Sequence, residues 1–157
     1  MPAGPTSAFP LPPPMRRALD LAGEAARNGE VPVGAVVTFE GRIIAEAANR
    51  MRHSNDPTAH AEIVAIRSAA EALATPRLDG CTLWVTLEPC AMCAAATALA
   101  RMKKLVFAAD DPKGGGVTHG ARIFAQPTCH HRPEVVSGLG EGEAAALLRD
   151  FFAVRRA

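Results

Sequence analysis

Three things are scarce in this 157-residue sequence, and each scarcity removes a class of protein. No apolar run approaches the roughly 20 residues that a helix needs to cross a bilayer, which argues against a helical membrane span. The formal net charge is only +1, so a global electrostatic pull on nucleic acid is absent. Any nucleic-acid contact must then use a local patch. The first residues lack a basic stretch followed by an apolar one, so export is not expected. Internal repeats are also missing. What is present is ordinary: 48% hydrophobic and 21% charged residues fit one soluble globular domain long enough to bury a core.

Cysteine is the informative residue. There are four, and two stand as Cys90-Ala91-Met92-Cys93. A C-x-x-C pair without an export signal points to metal or redox chemistry rather than to disulfides, so a reducing, cytoplasmic setting is expected.

Taken in order, residues 1–14 hold six prolines and no apolar period, which predicts a disordered or polyproline II leader. A single domain is expected over 15–157. Leu19, Ala22, Ala25 and Ala26 predict a helix from Met15 to Asn28. Val33–Phe39 and Arg42–Ala45 flank Glu40-Gly41 and predict a hairpin. Asn49 to Pro57 is polar and turn-rich, hence a loop. Ile63, Ile66, Ala70 and Leu73 predict an amphipathic helix over 58–74. Cys81–Leu87 reads as a buried central strand, 90–101 as a helix, and Lys104–Ala109 as a strand. Asp110 to Gly116 reads as a flexible polar loop. Residues 117–133 are mixed, with a short helix near His119–Phe124. Glu134–Val136 suggests a last strand and Glu141–Arg156 a final helix. Strands alternating with helices predict a three-layer α/β/α sandwich with helix-connected strands parallel.

Two motifs carry chemistry. His60-Ala61-Glu62 and Pro89-Cys90-Ala91-Met92-Cys93 together read H-x-E, a gap, then P-C-x-x-C. His60, Cys90 and Cys93 supply one imidazole and two thiolates, a set that suits Zn²⁺. Three protein ligands leave a tetrahedral position for water, the mark of a catalytic zinc. Glu62 is then free to move protons. A structural zinc would need a fourth ligand from Cys81, Cys129, His130 or His131. Asn49 could hydrogen-bond a base edge, since an amide offers both donor and acceptor. His53 and His119 stay ambiguous between loop residue and substrate contact. Phe151-Phe152 with Arg155-Arg156 reads either as helix packing plus a solvated tail or as an aromatic, cationic face for an unstacked base.

The H-x-E and P-C-x-x-C pair resembles the zinc nucleobase deaminases of the cytidine deaminase-like superfamily. Val31-Pro32-Val33-Gly34-Ala35-Val36, Asn49-Arg50, Asp56 to Ile63 and Leu147-Leu148-Arg149-Asp150-Phe151-Phe152 narrow the resemblance to the bacterial tRNA-specific adenosine deaminases, over about Arg16 to Arg156. The resemblance implies a five-stranded mixed sheet, a homodimer, one zinc per subunit and an anticodon stem-loop as partner. It implies conversion of adenosine to inosine at the wobble position of an arginine tRNA, with a zinc-bound water attacking C6 and Glu62 shuttling protons. It assigns His60, Cys90 and Cys93 to the metal and Glu62 to catalysis. It assigns Asn49, the Ala61 amide, Pro32, Asp110, Asp111, Lys113, Phe152, Arg155 and Arg156 to substrate. The segment Gly114 to Gly120 departs from the better-known members. The rival readings are a guanine- or cytosine-type deaminase acting on free bases or nucleosides, and a zinc-stabilised RNA-binding module that would tolerate losing Glu62.

Overall fold

The apolar period switches repeatedly between two and three-to-four along the chain, and the backbone follows it. The computed structural model describes residues 10–156. Its elements run α1 (Pro13–Arg27), β1 (Gly34–Phe39), β2 (Arg42–Ala48), α2 (Met51–Ser54), α3 (Ala61–Leu73), β3 (Cys81–Leu87), α4 (Ala91–Leu99) and β4 (Lys104–Ala109). A single 3₁₀ turn (Ile123–Ala125), β5 (Glu134–Ser137) and α5 (Glu141–Arg156) complete it. The five strands form one mixed sheet in the order β2-β1-β3-β4-β5. β1 is antiparallel to both β2 and β3, while β3, β4 and β5 are mutually parallel.

Alternation along the strands sorts the core into two layers. Ala35, Val37, Leu83, Val85, Leu105 and Phe107 face α3 and α4, which contribute Ala61, Ala65, Ala69 and Ala94. Val36, Trp84, Val106 and Ala108 face the other way, against Met15, Ala18 and Leu19 of α1 and Ala144 of α5. The expected three-layer sandwich is therefore present. Gly34 is required where α1 crosses β1, because a Cβ there would lie 2.0 Å from the Ala18 carbonyl oxygen.

Several boundaries differ from expectation. α1 begins at Pro13, two residues early, because a proline in the first helical turn loses no hydrogen bond. Pro13 and Pro14 of the expected leader thus belong to a helix, and Leu11 packs on the α1–α5 core. Pro2 and Pro5 lie outside the described residues. The polar stretch 49–57 contains the one-turn helix α2. α3 starts at Ala61 rather than 58, and α4 spans 91–99 rather than 90–101. Asp110 to Gly116 is polar but not a loose loop, since Gly115, Gly116 and Val117 are buried.

Candidate metal centre and active site

β2 and β3 run in the same direction because both oppose β1. The helices that follow them, α3 and α4, pack together on one face of the sheet and start at the same end. His60 and Cys90 are the N-cap residues of these two helices, both with extended backbone (φ −67°, ψ 151° and φ −68°, ψ 174°). Residues two apart do not share a helix face. His60 and Glu62 meet one site because His60 is still outside the helix and Glu62 is in its first turn.

His60 Nδ1 lies 3.6 Å from Cys90 Sγ and 3.5 Å from Cys93 Sγ. Donors on a tetrahedral zinc at ordinary Zn–N and Zn–S bond lengths would stand about 3.6 Å apart. The three ligand atoms, all within 4.8 Å of one another, therefore fit that ion. Among the described residues no fourth protein ligand joins them. Cys81 is buried inside β3, Cys129 Sγ donates to the His131 carbonyl (3.2 Å), and His131 Nε2 pairs with the Met102 carbonyl (2.7 Å). His130 lines a surface pocket beside α4 with those two residues. Hydrogen bonds from Cys93 and then His60 hold the Cys90 thiol down at about 4 against its burial, while the bond to Cys90 and then burial push Cys93 up. One thiolate forms readily, and metal binding must displace the second proton.

Glu62 is buried, 4% exposed. Burial raises its carboxyl to about 7, opposed by its own backbone N–H and by the charge of His60. Such a group both takes and returns a proton near neutral pH. Asn49, also buried, accepts the Ala61 N–H at Oδ1 (2.8 Å) and donates from Nδ2 to the Val31 carbonyl (3.1 Å). It thereby ties the start of α3 to the segment holding buried Pro32.

Two buried glutamates that the sequence left unremarked organise the surrounding loops. Glu30 accepts the Arg52 and His53 N–H groups (3.2 and 2.9 Å) and faces His53 Nδ1 at 2.7 Å. Glu88 accepts the N–H groups of Asp111, Val117, Thr118 and His119 (3.0–3.1 Å) and faces His119 Nδ1 at 2.7 Å. Burial opposes ionisation of Glu88, but the Asp111 N–H, the His119 side chain and the remaining amides together hold it at about 2. Gly116 donates to the Pro89 carbonyl (2.8 Å), and a Cβ on it would lie 2.5 Å from the Ala91 nitrogen. The loop is thus laid directly on the peptide that follows Cys90.

Asp110, Asp111 and Lys113 belong to the same loop. Asp110 and Lys113 are exposed, and Asp111 Oδ1 accepts the Lys113 and Gly114 N–H groups (3.2 and 2.9 Å). At the other end of the chain Phe151 is buried and Phe152 is 41% exposed. The Arg155 guanidinium stacks 3.3 Å from the Phe151 ring centroid and donates to the Phe151 carbonyl (3.0 Å). The structure does not place Phe152 and Arg155 among the metal donors, since α5 packs in the opposite layer against α1, β3 and β4. The Arg156 side chain lies outside the described part. A charged residue at the end of a buried strand, Glu88 after Leu87, was the one signal that could have exposed the loop anchor.

A profile of the MafB19-like deaminases matches residues 13–156. The chain is 56% identical over 142 residues to the tRNA-specific adenosine deaminase of Agrobacterium fabrum, covering 90% of this chain and 93% of that one. It superposes with TM-score 0.85 and 56% identity on a structure from work on A-to-I editing by tRNA:A34 deaminases at the wobble position, covering 86% and 98% of the two chains. A guanine deaminase from Nitrosomonas europaea aligns with TM-score 0.76 and 29% identity over 89% of this chain and 83% of its own.

Proposed function

This chain belongs to the MafB19-like deaminase family, and we propose that it removes the 6-amino group of adenosine at the wobble position of a tRNA anticodon, leaving inosine. An arginine tRNA is the proposed substrate. The observation that carries the reading is a buried glutamate beside a three-donor N/S/S cluster, in a chain 56% identical to a tRNA-specific adenosine deaminase. His60, Cys90 and Cys93 would hold one zinc. When bound, zinc lowers the pKa of a water molecule and makes it a nucleophile at neutral pH.

The chain's own groups supply the rest. Glu62 takes the proton that the attacking water loses as its oxygen bonds to C6, and delivers it to purine N1. It then carries the second proton to the exocyclic nitrogen, which leaves as ammonia. Proton transfer of this kind contributes on the order of 10²–10⁴-fold. Asn49 fixes the Ala61 amide and presents that corner of the pocket to the purine. Pro32 forms the neighbouring wall. An adenosine in a single-stranded loop is reached without breaking a duplex, which suits an anticodon. Asp110, Asp111, Lys113, Phe152, Arg155 and Arg156 are the proposed RNA contacts.

A homodimer is part of this reading. It is supported by the outer face of α4, where Leu99 is 82% exposed beside an apolar pocket of about 320 Å³ lined by Ala95, Ala98 and Ile123. None of the described helices is long and apolar enough to cross a membrane. Four free thiols suit the cytoplasm as the site of action.

The likeness to a guanine deaminase gives the second reading, since the metal donors and the fold serve both. Incubation with an anticodon stem-loop and, separately, with guanine, cytosine and cytidine tests it. Inosine from the stem-loop and no ammonia from the free compounds is the expected result; ammonia from guanine with no inosine would overturn the RNA reading. Glu62→Ala should keep zinc and stem-loop binding while losing at least about 10²-fold in rate.

A further inference from the structure

The ring of His119 is used by none of the steps above, yet it is bound to the most deeply anchored carboxylate in the site. The Glu88 side chain is fully buried. An ionised carboxylate has no hydrogen to give, so His119 Nδ1 carries the hydrogen at the 2.7 Å contact. Thr118 Oγ1, 3.1 Å from the same nitrogen, shares it. The His119 backbone N–H reaches the other carboxylate oxygen, Oε2 (3.1 Å). One residue thus grips both oxygens of Glu88.

Glu88, Asp110 and His119 also place ligand atoms within 4.8 Å of one another, which on distance alone would allow a cation. The hydrogen bonds argue against it. Four amides and one imidazole N–H already fill the roughly four lone-pair positions of the Glu88 carboxylate, leaving none for a metal. The cluster is a donor cradle around an anion.

The cradle is rigid on its other sides. A Cβ on Gly115 would lie 2.3 Å from Glu88 Oε2, so the loop backbone is in direct contact with the carboxylate. Ile123 N–H closes the far end of the loop on the Gly116 carbonyl (2.8 Å). Asp110, Asp111 and Lys113 lie just before these anchors, where the Asp111 N–H is itself held by Glu88 Oε1 (3.1 Å).

The geometry points to His119 as a positioning residue for RNA: its Nδ1–H bond to Glu88 sets the 110–119 loop against the Cys90–Ala91 peptide before substrate arrives. This rests on the tRNA reading proposed above. The loop's RNA contacts are then pre-formed, and no ordering cost falls on binding. Losing the bond would loosen the loop without touching the metal donors or Glu62. The effect should appear in substrate affinity more than in the chemical step.

The test compares His119→Ala with His119→Asn, whose amide nitrogen occupies the position of Nδ1 and can donate to Glu88 in its place. Zinc content, kcat and KM on an anticodon stem-loop, and hydrogen exchange of residues 115–119 are measured for each. His119→Ala should retain one zinc, raise KM about tenfold and change kcat by less than about threefold, with faster loop exchange. His119→Asn should return KM and exchange close to wild type. A KM for His119→Ala within about twofold of wild type would overturn the assignment. So would an asparagine variant no better than alanine. Should the wild-type enzyme form no inosine from the stem-loop, the proposed function fails. The exchange data then decide the clamp alone: protection lost in alanine and restored in asparagine supports it, and unchanged protection refutes it.

Discussion

Glu30 and Glu88 make the same arrangement twice, and the differences between them show what sets its strength. Each is a buried carboxylate that accepts backbone N–H groups from a later loop and one imidazole Nδ1 at 2.7 Å. Glu30 gathers two amides and a histidine whose side chain is 57% exposed. Glu88 gathers four amides and a histidine only 34% exposed. Burial disfavours the charge on both, yet hydrogen bonds to the anion win in both, and both carboxyls are held below the ordinary value. Only Glu88 is driven to about 2. Donor number separates the two. Glu30 holds a single helical turn, α2, next to Val31 and hence to Asn49. Glu88 holds a whole loop and stands two residues from Cys90.

The largest break in this comparison is Glu88→Gln. An amide offers one acceptor where two are needed and turns an N–H towards other donors. A carboxyl held at about 2 instead of 4.5 stabilises the folded state by on the order of 3 kcal/mol at neutral pH. Its folded pKa is lowered, so this stability is present above about pH 4.5 and lost as the pH falls towards 2. Urea unfolding of both proteins at several pH values should show a wide gap at pH 7 that narrows through this window. A gap independent of pH would mean that shape, not charge, holds the loop.

Gly115→Ala should come next, at roughly 2 kcal/mol, because its Cβ would push directly on Glu88 Oε2. Thermal unfolding checks it, and a neutral result would show the loop free to shift. Glu30→Gln should cost less, about 1–2 kcal/mol, with only two amides left short. It should also slow deamination, because α2 and the Val31–Asn49–Ala61 chain share that anchor. Single-turnover rates with excess enzyme would reveal it. Gly29→Ala, beside Glu30, should be mildest, about 1 kcal/mol. Gly29 sits at φ +79° with nothing within 4 Å, so only backbone strain opposes the methyl group. A Gly29 variant worse than the Gly115 variant would reverse the ranking of the two anchors.

The contrast also explains what was legible in the sequence. Cys81–Leu87 and Lys104–Ala109 were readable to the residue, because parallel strands covered on both faces are written as apolar runs. The hairpin was readable from Glu40-Gly41, which adopt φ 51° and 77°, as a two-residue turn of its type requires. That His60, Cys90 and Cys93 would converge was readable, because a shared ligand chemistry would restrict both residue type and spacing. Glu88 was not. A buried glutamate is spelled like an exposed one, and its partners lie 23 to 31 residues further on. Gly114-Gly115-Gly116 suggested looseness for the same reason. Composition records that glycine permits motion but not that a carboxylate and the Cys90–Ala91 peptide press against it. α2 was lost because four residues, Met51 to Ser54, are too few to carry a period.

The place of β1 in the sheet governs how the enzyme can be assembled. β1 closes locally on β2 through a two-residue turn, but its other edge waits for β3, more than forty residues later. Until β3 is in register, α3 and α4 have no common platform, and His60 is separated from Cys90 by a floppy tether rather than by 3.6 Å. Assembly of the proposed zinc site is then a late event in maturation, gated by the slow non-local pairing and not by helix growth. A chain emerging from the ribosome would carry its imidazole long before it could use it.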